Sequence, residues 1–167
     1  GAMMCVLMRV RDPHVLARAC DLGVAMQLTN IARDVGEDAA MGRLYLPLDW
    51  LAEAGVATDM VPGDPAADPA LRRIVRRLLA EARRLYLRSE AGIAALPADT
   101  RMGIFAARYI YAGIGGAVAR NGHDSVTRRA RTSMVQKLGW MTVAAGRAGA
   151  SALVPRAFLE EEGDEEW

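Results

Sequence analysis

Aromatic side chains make up only 5% of the 167 residues, and there are just two cysteines, two histidines and a single lysine, Lys137. Cys5 and Cys20 cannot build a disulfide framework. No charged-then-apolar secretory pattern opens the sequence, so a reducing, cytoplasmic setting is expected. No run of about 18 uncharged apolar residues occurs. The best C-terminal candidate, Leu138–Val154, is interrupted by Arg147, so no membrane-spanning helix is expected. Sixteen glycines and seven prolines are too few for a fibre or a linker, and 52% hydrophobic residues is too many for a disordered chain. What remains is about one globular domain.

The net charge of +1 conceals an asymmetry. Glu160, Glu161, Glu162, Asp164, Glu165 and Glu166 crowd the last eight positions; setting them aside leaves 21 basic against 14 acidic side chains. All the basic residues except Lys137 are arginines, whose planar fork suits carboxylate and phosphate. A basic body fits an anionic partner or a solvated surface, and charge alone does not choose. No aromatics are interleaved with the arginines to stack on bases, so a nucleic-acid partner is not expected.

The punctuation is that of an all-α protein. Asp12-Pro13 places a capping acid before a proline at a first helical turn and predicts a helix to about Ala40, ended by Gly42 and Pro47. Leu48–Ala54 reads as a short helix or turn, and Gly55–Ala67 as a loop. Asp68-Pro69 repeats the start signal. Leu71, Ile74, Val75, Leu78, Leu79, Ala82, Leu85 and Tyr86 then recur at helical spacing, with Arg72, Arg73, Arg76, Arg77, Arg83, Arg84 and Arg88 on a face expected to be solvated. A further helix is predicted from about Thr100 to Arg120, capped by Asn121-Gly122, and another over Ser125–Val154. There are no strand alternations and no repeats. The domain is expected over residues 1–155, followed by an acidic, disordered tail at 156–167.

The first long helix carries a polar line. At helical spacing Gln27, Asn30, Asp34 and Asp38 fall within about 80° of one another. Val24, Leu28, Ile31 and Val35 flank them. Asp34 and Asp38, at i and i+4, repel unless something cationic lies between them. A hard divalent ion such as Mg²⁺ takes one or two carboxylates plus phosphate oxygens, and Gln27 and Asn30 could hold waters or those oxygens. Spacing leaves a second reading open, a polar face in which Arg33 and Glu37 are local ion-pair partners. His14 and His123 read as loop residues rather than metal ligands.

Leu22–Pro47, LGVAMQLTNIARDVGEDAAMGRLYLP, resembles the second signature of the squalene and phytoene synthase family. It does so at Leu22-Gly23, Gln27, Asn30-Ile31, Arg33-Asp34, Asp38, Arg43, Tyr45 and Pro47. Ala106–Ile114 and the following ARNGHDSVTRRA resemble the family's late helix and its exit, and GRLYLPLDWL is more similar to phytoene than to squalene synthases. The resemblance extends over roughly residues 1–140. It implies the C-terminal part of the isoprenoid synthase helical bundle and a Mg²⁺-dependent prenyltransferase. The reaction implied is head-to-head condensation of two geranylgeranyl diphosphates to phytoene in carotenoid synthesis. Squalene or dehydrosqualene synthase and a non-catalytic assembly protein are the alternatives.

The resemblance further implies that Asp34 and Asp38 bind the metal. Gln27, Asn30, Arg33 and Arg43 would contact substrate, and Tyr111 would face the cavity. Two features depart from the family. Its other aspartate-rich motif has no counterpart before residue 12, so the chain resembles a C-terminal half. Such a half would be inactive alone, and would pair with an N-terminal half or with itself through exposed core surface. His123 also stands where the family has a tyrosine. The hydrophobic substrate class implies weak peripheral contact with the inner face of a membrane.

Overall fold

A computed structural model describes residues 2–58 and 68–153, with side chains to 151. Six helices follow one another: α1 (Ala2–Leu7), α2 (Pro13–Ala40), α3 (Leu48–Glu53), α4 (Asp68–Ala95), α5 (Ala98–Arg120) and α6 (Met134–Leu153). Among the described residues there are no strands, as expected for an all-α chain. Most of the Gly55–Ala67 loop and the whole 156–167 tail lie outside the described residues. α1 is an element that the sequence reading did not anticipate.

The helix starts follow the chemistry of the sequence. Asp12 accepts hydrogen bonds from the amides of His14 (2.8 Å) and Val15 (3.3 Å), which caps α2 ahead of Pro13. The ends reuse one device. At the end of α2 the amide of Arg43 reaches back to the Asp38 carbonyl (2.8 Å) and that of Gly42 to Ala39 (2.9 Å), with Gly42 at φ 70°. The end of α3 repeats it at Gly55 (φ 68°), and the end of α5 at Gly122 (φ 71°). This paired closure satisfies orphan carbonyls and needs a left-handed residue, which glycine adopts without a Cβ penalty.

The chain divides into two compact units, and α2, α4 and α5 each contribute residues to both. One unit comprises Ala25–Arg84 and Tyr111–Ser133. Its core joins Ala32 and Val35 of α2, Leu51 of α3, Leu71, Ile74, Val75 and Leu78 of α4, and Ala117 and Val118 of α5. The α4 residues are those picked out by helical spacing. The arginine face of α4 is only partly the solvated surface expected. Arg77 lies 3.9 Å over the Trp50 ring and pairs with Glu53 at 2.8 Å, so it clasps α3. Arg72 binds Asp68 (2.7 Å), the Gly122 carbonyl (3.3 Å) and Asp124 (3.2 Å).

The other unit comprises Gly1–Val24, Leu85–Ile110 and Met134–Trp167. Glu90 is its electrostatic hub. It pairs with the buried Arg108 (2.9 Å) and with Arg147, and it accepts from the Tyr109 hydroxyl at 3.4 Å. Arg101, also buried, donates to the Leu96 carbonyl at 2.7 Å and to that of Ser151 at 3.2 Å. Asp21 is held by Arg18 (3.0 Å) and Arg88 (3.3 Å).

One expectation needs correction. Ser125–Val154 is not one helix, since α6 begins only at Met134. Asp124 accepts from the amides of Val126 (3.2 Å) and Thr127 (2.9 Å), as a helix cap would. The Ser125 carbonyl, which a helix would use for its own ladder, instead accepts the Gly36 amide at 2.9 Å. A contact distant in sequence has outcompeted the local helix. The absence of an uninterrupted apolar run stands, and α5 comes near to one. One charge in its middle defeats a search for uninterrupted apolar runs, yet its 23 residues reach a mean hydropathy of 1.3 over their most apolar stretch. By length and composition alone it could cross a membrane. Only 22% of that stretch is buried.

Candidate functional site

Gln27, Asn30, Arg33, Asp34, Asp38, Arg43 and Tyr111 all belong to the unit formed by Ala25–Arg84 and Tyr111–Ser133. The first five project from α2; Gln27, Asn30, Asp34 and Asp38 keep the common line that their spacing predicts, and Arg33 stands beside it. Gln27 is exposed and Asn30 half-buried, and neither bonds to the other site residues.

The two aspartates differ sharply. Asp34 is engaged on both oxygens: the Arg33 Nε donates to Oδ1 at 2.7 Å and its Nη2 to Oδ2 at 2.5 Å. Residues i and i+1 on a helix normally diverge, so the Arg33 side chain must fold back across the helix surface to make this fork. A second guanidinium arrives from afar: the Arg129 Nε donates to Asp34 Oδ1 at 3.2 Å while its Nη1 pairs with Glu37 at 3.1 Å. Burial pushes the Asp34 carboxyl up, but the hydrogen bonds and charges of Arg33 and Arg129 outweigh it and hold the group below the usual carboxylate range. Arg33 is raised above its ordinary value, chiefly by its hydrogen bond to Asp34 and the charge of that carboxylate.

Asp38 makes no hydrogen bond or ion pair through its carboxylate among the described residues. With Ile31, Val35, Arg43, Leu44, Tyr45 and Leu46 it lines a small pocket of about 10 Å³, the space of roughly one water. The helix end creates this grouping. Because the Arg43 amide bonds to the Asp38 carbonyl, the chain turns back and brings Arg43 and Tyr45 to the pocket that Asp38, five to seven positions upstream, also lines.

Sequence reasoning missed Arg129 and the residue that seats it, Gly36. A Cβ on Gly36 would stand 2.3 Å from the Val126 carbonyl oxygen and 2.9 Å from the Val126 Cα. No other residue fits there, because the obstacle is backbone rather than a flexible side chain. Segment 124–129 therefore crosses α2 within one turn of both Asp34 and Asp38. The signal in the sequence was a glycine in mid-helix, which weakens a helix unless something must approach closely.

The described residues hold no cluster of three or more metal-ligating His, Cys, Asp or Glu side chains. A closed protein cage for a metal is thus not present among them. The donors fit a hard cation of another kind, one carried on two carboxylates with its remaining oxygens from water and phosphate. Asp38 meets that description directly, its carboxylate being unengaged; Asp34 meets it with its oxygens shared with arginine.

Comparison with known proteins agrees with this geometry. The family model for squalene/phytoene synthase matches residues 1–136. A phytoene synthase of Cereibacter sphaeroides is 62% identical over 155 residues, covering 93% of this chain and 44% of that protein. One from Rhodobacter capsulatus is 53% identical over 155 residues, covering 93% and 46% respectively. The chain thus spans about half the length of the curated relatives it matches. The crystal structure of a dehydrosqualene synthase in complex with ligand superposes with a TM-score of 0.74 at 30% identity, over 84% of this chain and 49% of that one. The helical arrangement is the all-α isoprenoid synthase fold. By sequence and by fold, this chain belongs to the squalene/phytoene synthase family.

Proposed function

We propose that the chain is the C-terminal part of a phytoene synthase-type prenyltransferase. The complete enzyme joins two geranylgeranyl diphosphates head to head, through a cyclopropyl diphosphate, to give phytoene in carotenoid biosynthesis. The observation that carries this reading is the 62% identity to a phytoene synthase across nearly the whole chain. The polar line of α2 is intact within it. Dehydrosqualene synthase is the second reading, and the 30% identity of that neighbour supports it less. A non-catalytic assembly protein has no use for a free carboxylate at Asp38 beside the arginine-held Asp34.

Asp34 and Asp38 would hold Mg²⁺, which when bound supplies neutralising charge to a departing diphosphate. The chain's own residues do the rest. Gln27 and Asn30 present amide groups to waters or phosphate oxygens. Arg43, exposed beside Asp38, offers its guanidinium fork to the diphosphate, and Arg33, whose fork lies on Asp34, offers its remaining Nη1. An allylic cation survives only where water is excluded, and the apolar, mostly half-buried stretch of α5 provides such a wall. Tyr111 lies on that helix and presents its ring and phenol oxygen to the developing cation.

The missing partner is an N-terminal half carrying the complementary carboxylates; self-association through exposed apolar surface is the alternative. The working place is the cytoplasmic side of a membrane, reached by weak peripheral contact. The test is product formation from geranylgeranyl diphosphate and Mg²⁺, using this chain with and without a homologous N-terminal half. Phytoene is expected in the mixture and is lost with Asp34→Ala. A folded mixture that makes no prenyl product would overturn the reading.

A further inference from the structure

The charge at Asp34 is already compensated from within the chain, and the compensation is built rather than incidental. Arg129 spans two carboxylates with one guanidinium, Nε on Asp34 and Nη1 on Glu37. Its approach is fixed at three points on the same segment. Gly36 admits the Val126 backbone, the Gly36 amide binds the Ser125 carbonyl, and Asp124 is knotted to Thr127, Val126 and Arg72. By contrast Arg128 and Arg131, on either side of it, are exposed and make no ion pair among the described residues.

The two contacts of Arg129 are unequal in consequence. Asp34 is a proposed metal ligand and Glu37 is not, since Glu37 stands about 100° round the helix from Asp38, the other proposed ligand. We infer that Arg129 and a divalent cation compete for Asp34 Oδ1, with Glu37 retaining the displaced guanidinium beside the site. Arg129 is in this sense a positioning residue. It orients Asp34, and yields its side of Oδ1 when a doubly charged ion arrives while the Arg33 Nε bond to that oxygen stays in place. Arg33 keeps its fork on the same carboxylate by adjacency and needs no such release. A half-exposed guanidinium contact is weak enough to be displaced.

This inference rests on the reading of Asp34 and Asp38 as metal ligands. Its test separates the two. Mn²⁺ alone is titrated into the 167-residue chain, with the free ion followed by electron paramagnetic resonance, for wild type, Arg129→Gln, Arg129→Lys and the charge-matched Arg128→Gln. Circular dichroism of each variant verifies its fold. Arg129→Gln is expected to bind Mn²⁺ about fivefold more tightly than wild type. Arg128→Gln is expected to move by less than about twofold, and Arg129→Lys to fall between wild type and Arg129→Gln, since an ammonium cannot span both carboxylates as the fork does. Equal tightening in Arg128→Gln and Arg129→Gln overturns the competition in favour of a general charge effect. Unchanged or weaker binding by Arg129→Gln, with wild type still binding, overturns it and leaves the metal ligands standing. Absence of Mn²⁺ binding in every folded variant overturns both.

Discussion

At the scale of single residues, the two aspartates show how far identical side chains diverge with their surroundings. Asp34 and Asp38 share a helix face, yet one carries two guanidinium partners and the other opens onto a pocket. Gly36 between them is the residue on which this difference depends. Gly36→Ala would drive a methyl group into the Val126 carbonyl, and relief requires backbone movement. The expected cost is about 2–4 kcal/mol in urea denaturation, large for the addition of one methyl group. A loss under about 0.5 kcal/mol would show that segment 124–129 does not sit against α2 in solution. The stripe itself was legible in the sequence, because spacing on a helix is a local property. Arg129 was not, since nothing local marks which of Arg128, Arg129 and Arg131 folds back onto α2.

At the scale of elements, helix boundaries were read best where a cap chemistry announces them. Asp12-Pro13, Gly42 and Gly122 each mark an end that the structure reproduces. The 124–133 segment was misread as helix because its cap is real while its continuation is diverted. Asp124 closes that turn as a buried, hydrogen-bonded acid. Burial raises its carboxyl, but bonds from Thr127 and Val126 and the charge of Arg72 more than compensate, and it stays below the ordinary carboxylate value. Asp34 is depressed by the same balance. A carboxyl whose folded-state value lies below its unfolded one contributes stability that is complete above about pH 4. That contribution is lost as pH falls through the depressed folded value. Thermal melts between neutral pH and about pH 3 should therefore fall steeply at the acid end. An Asp34→Asn, Asp124→Asn double variant should start lower and show a shallower slope. An equal slope in the variant would mean that these two acids do not carry the acid limb.

At the scale of the whole molecule, the described surface is more apolar in places than its composition suggests. α1 exposes Met3, Met4, Val6 and Leu7, and α6 exposes Met134, Val135, Leu138, Met141 and Val143. Arginine supplies the charge elsewhere, and the body of the chain outside the acidic C-terminal stretch is markedly basic. Apolar side chains on a basic body suit an anionic lipid surface, each charge near it adding to the attraction. Flotation with liposomes containing anionic lipid should carry a fraction of the folded chain upward at low salt and release it at high salt. Folded protein that stays at the bottom of the gradient in both conditions would remove the membrane contact from the functional picture. The fold class and family-specific positions were readable at this scale because they depend on pattern over long stretches. The division into two units was not, because α2, α4 and α5 run through both without a break in their sequence signals.

The tie between Asp34 and Arg129 spans 95 positions. On a ribosome adding about 5–20 residues per second, the aspartate emerges roughly 5–20 s before its distant partner exists. A helix forms in microseconds or less, so α2 can present its carboxylates throughout that wait. The adjacent Arg33 is made just before Asp34 and covers it from the first moment. Its folded-back fork is a companion for the growing chain, and Arg129 joins once synthesis has passed it.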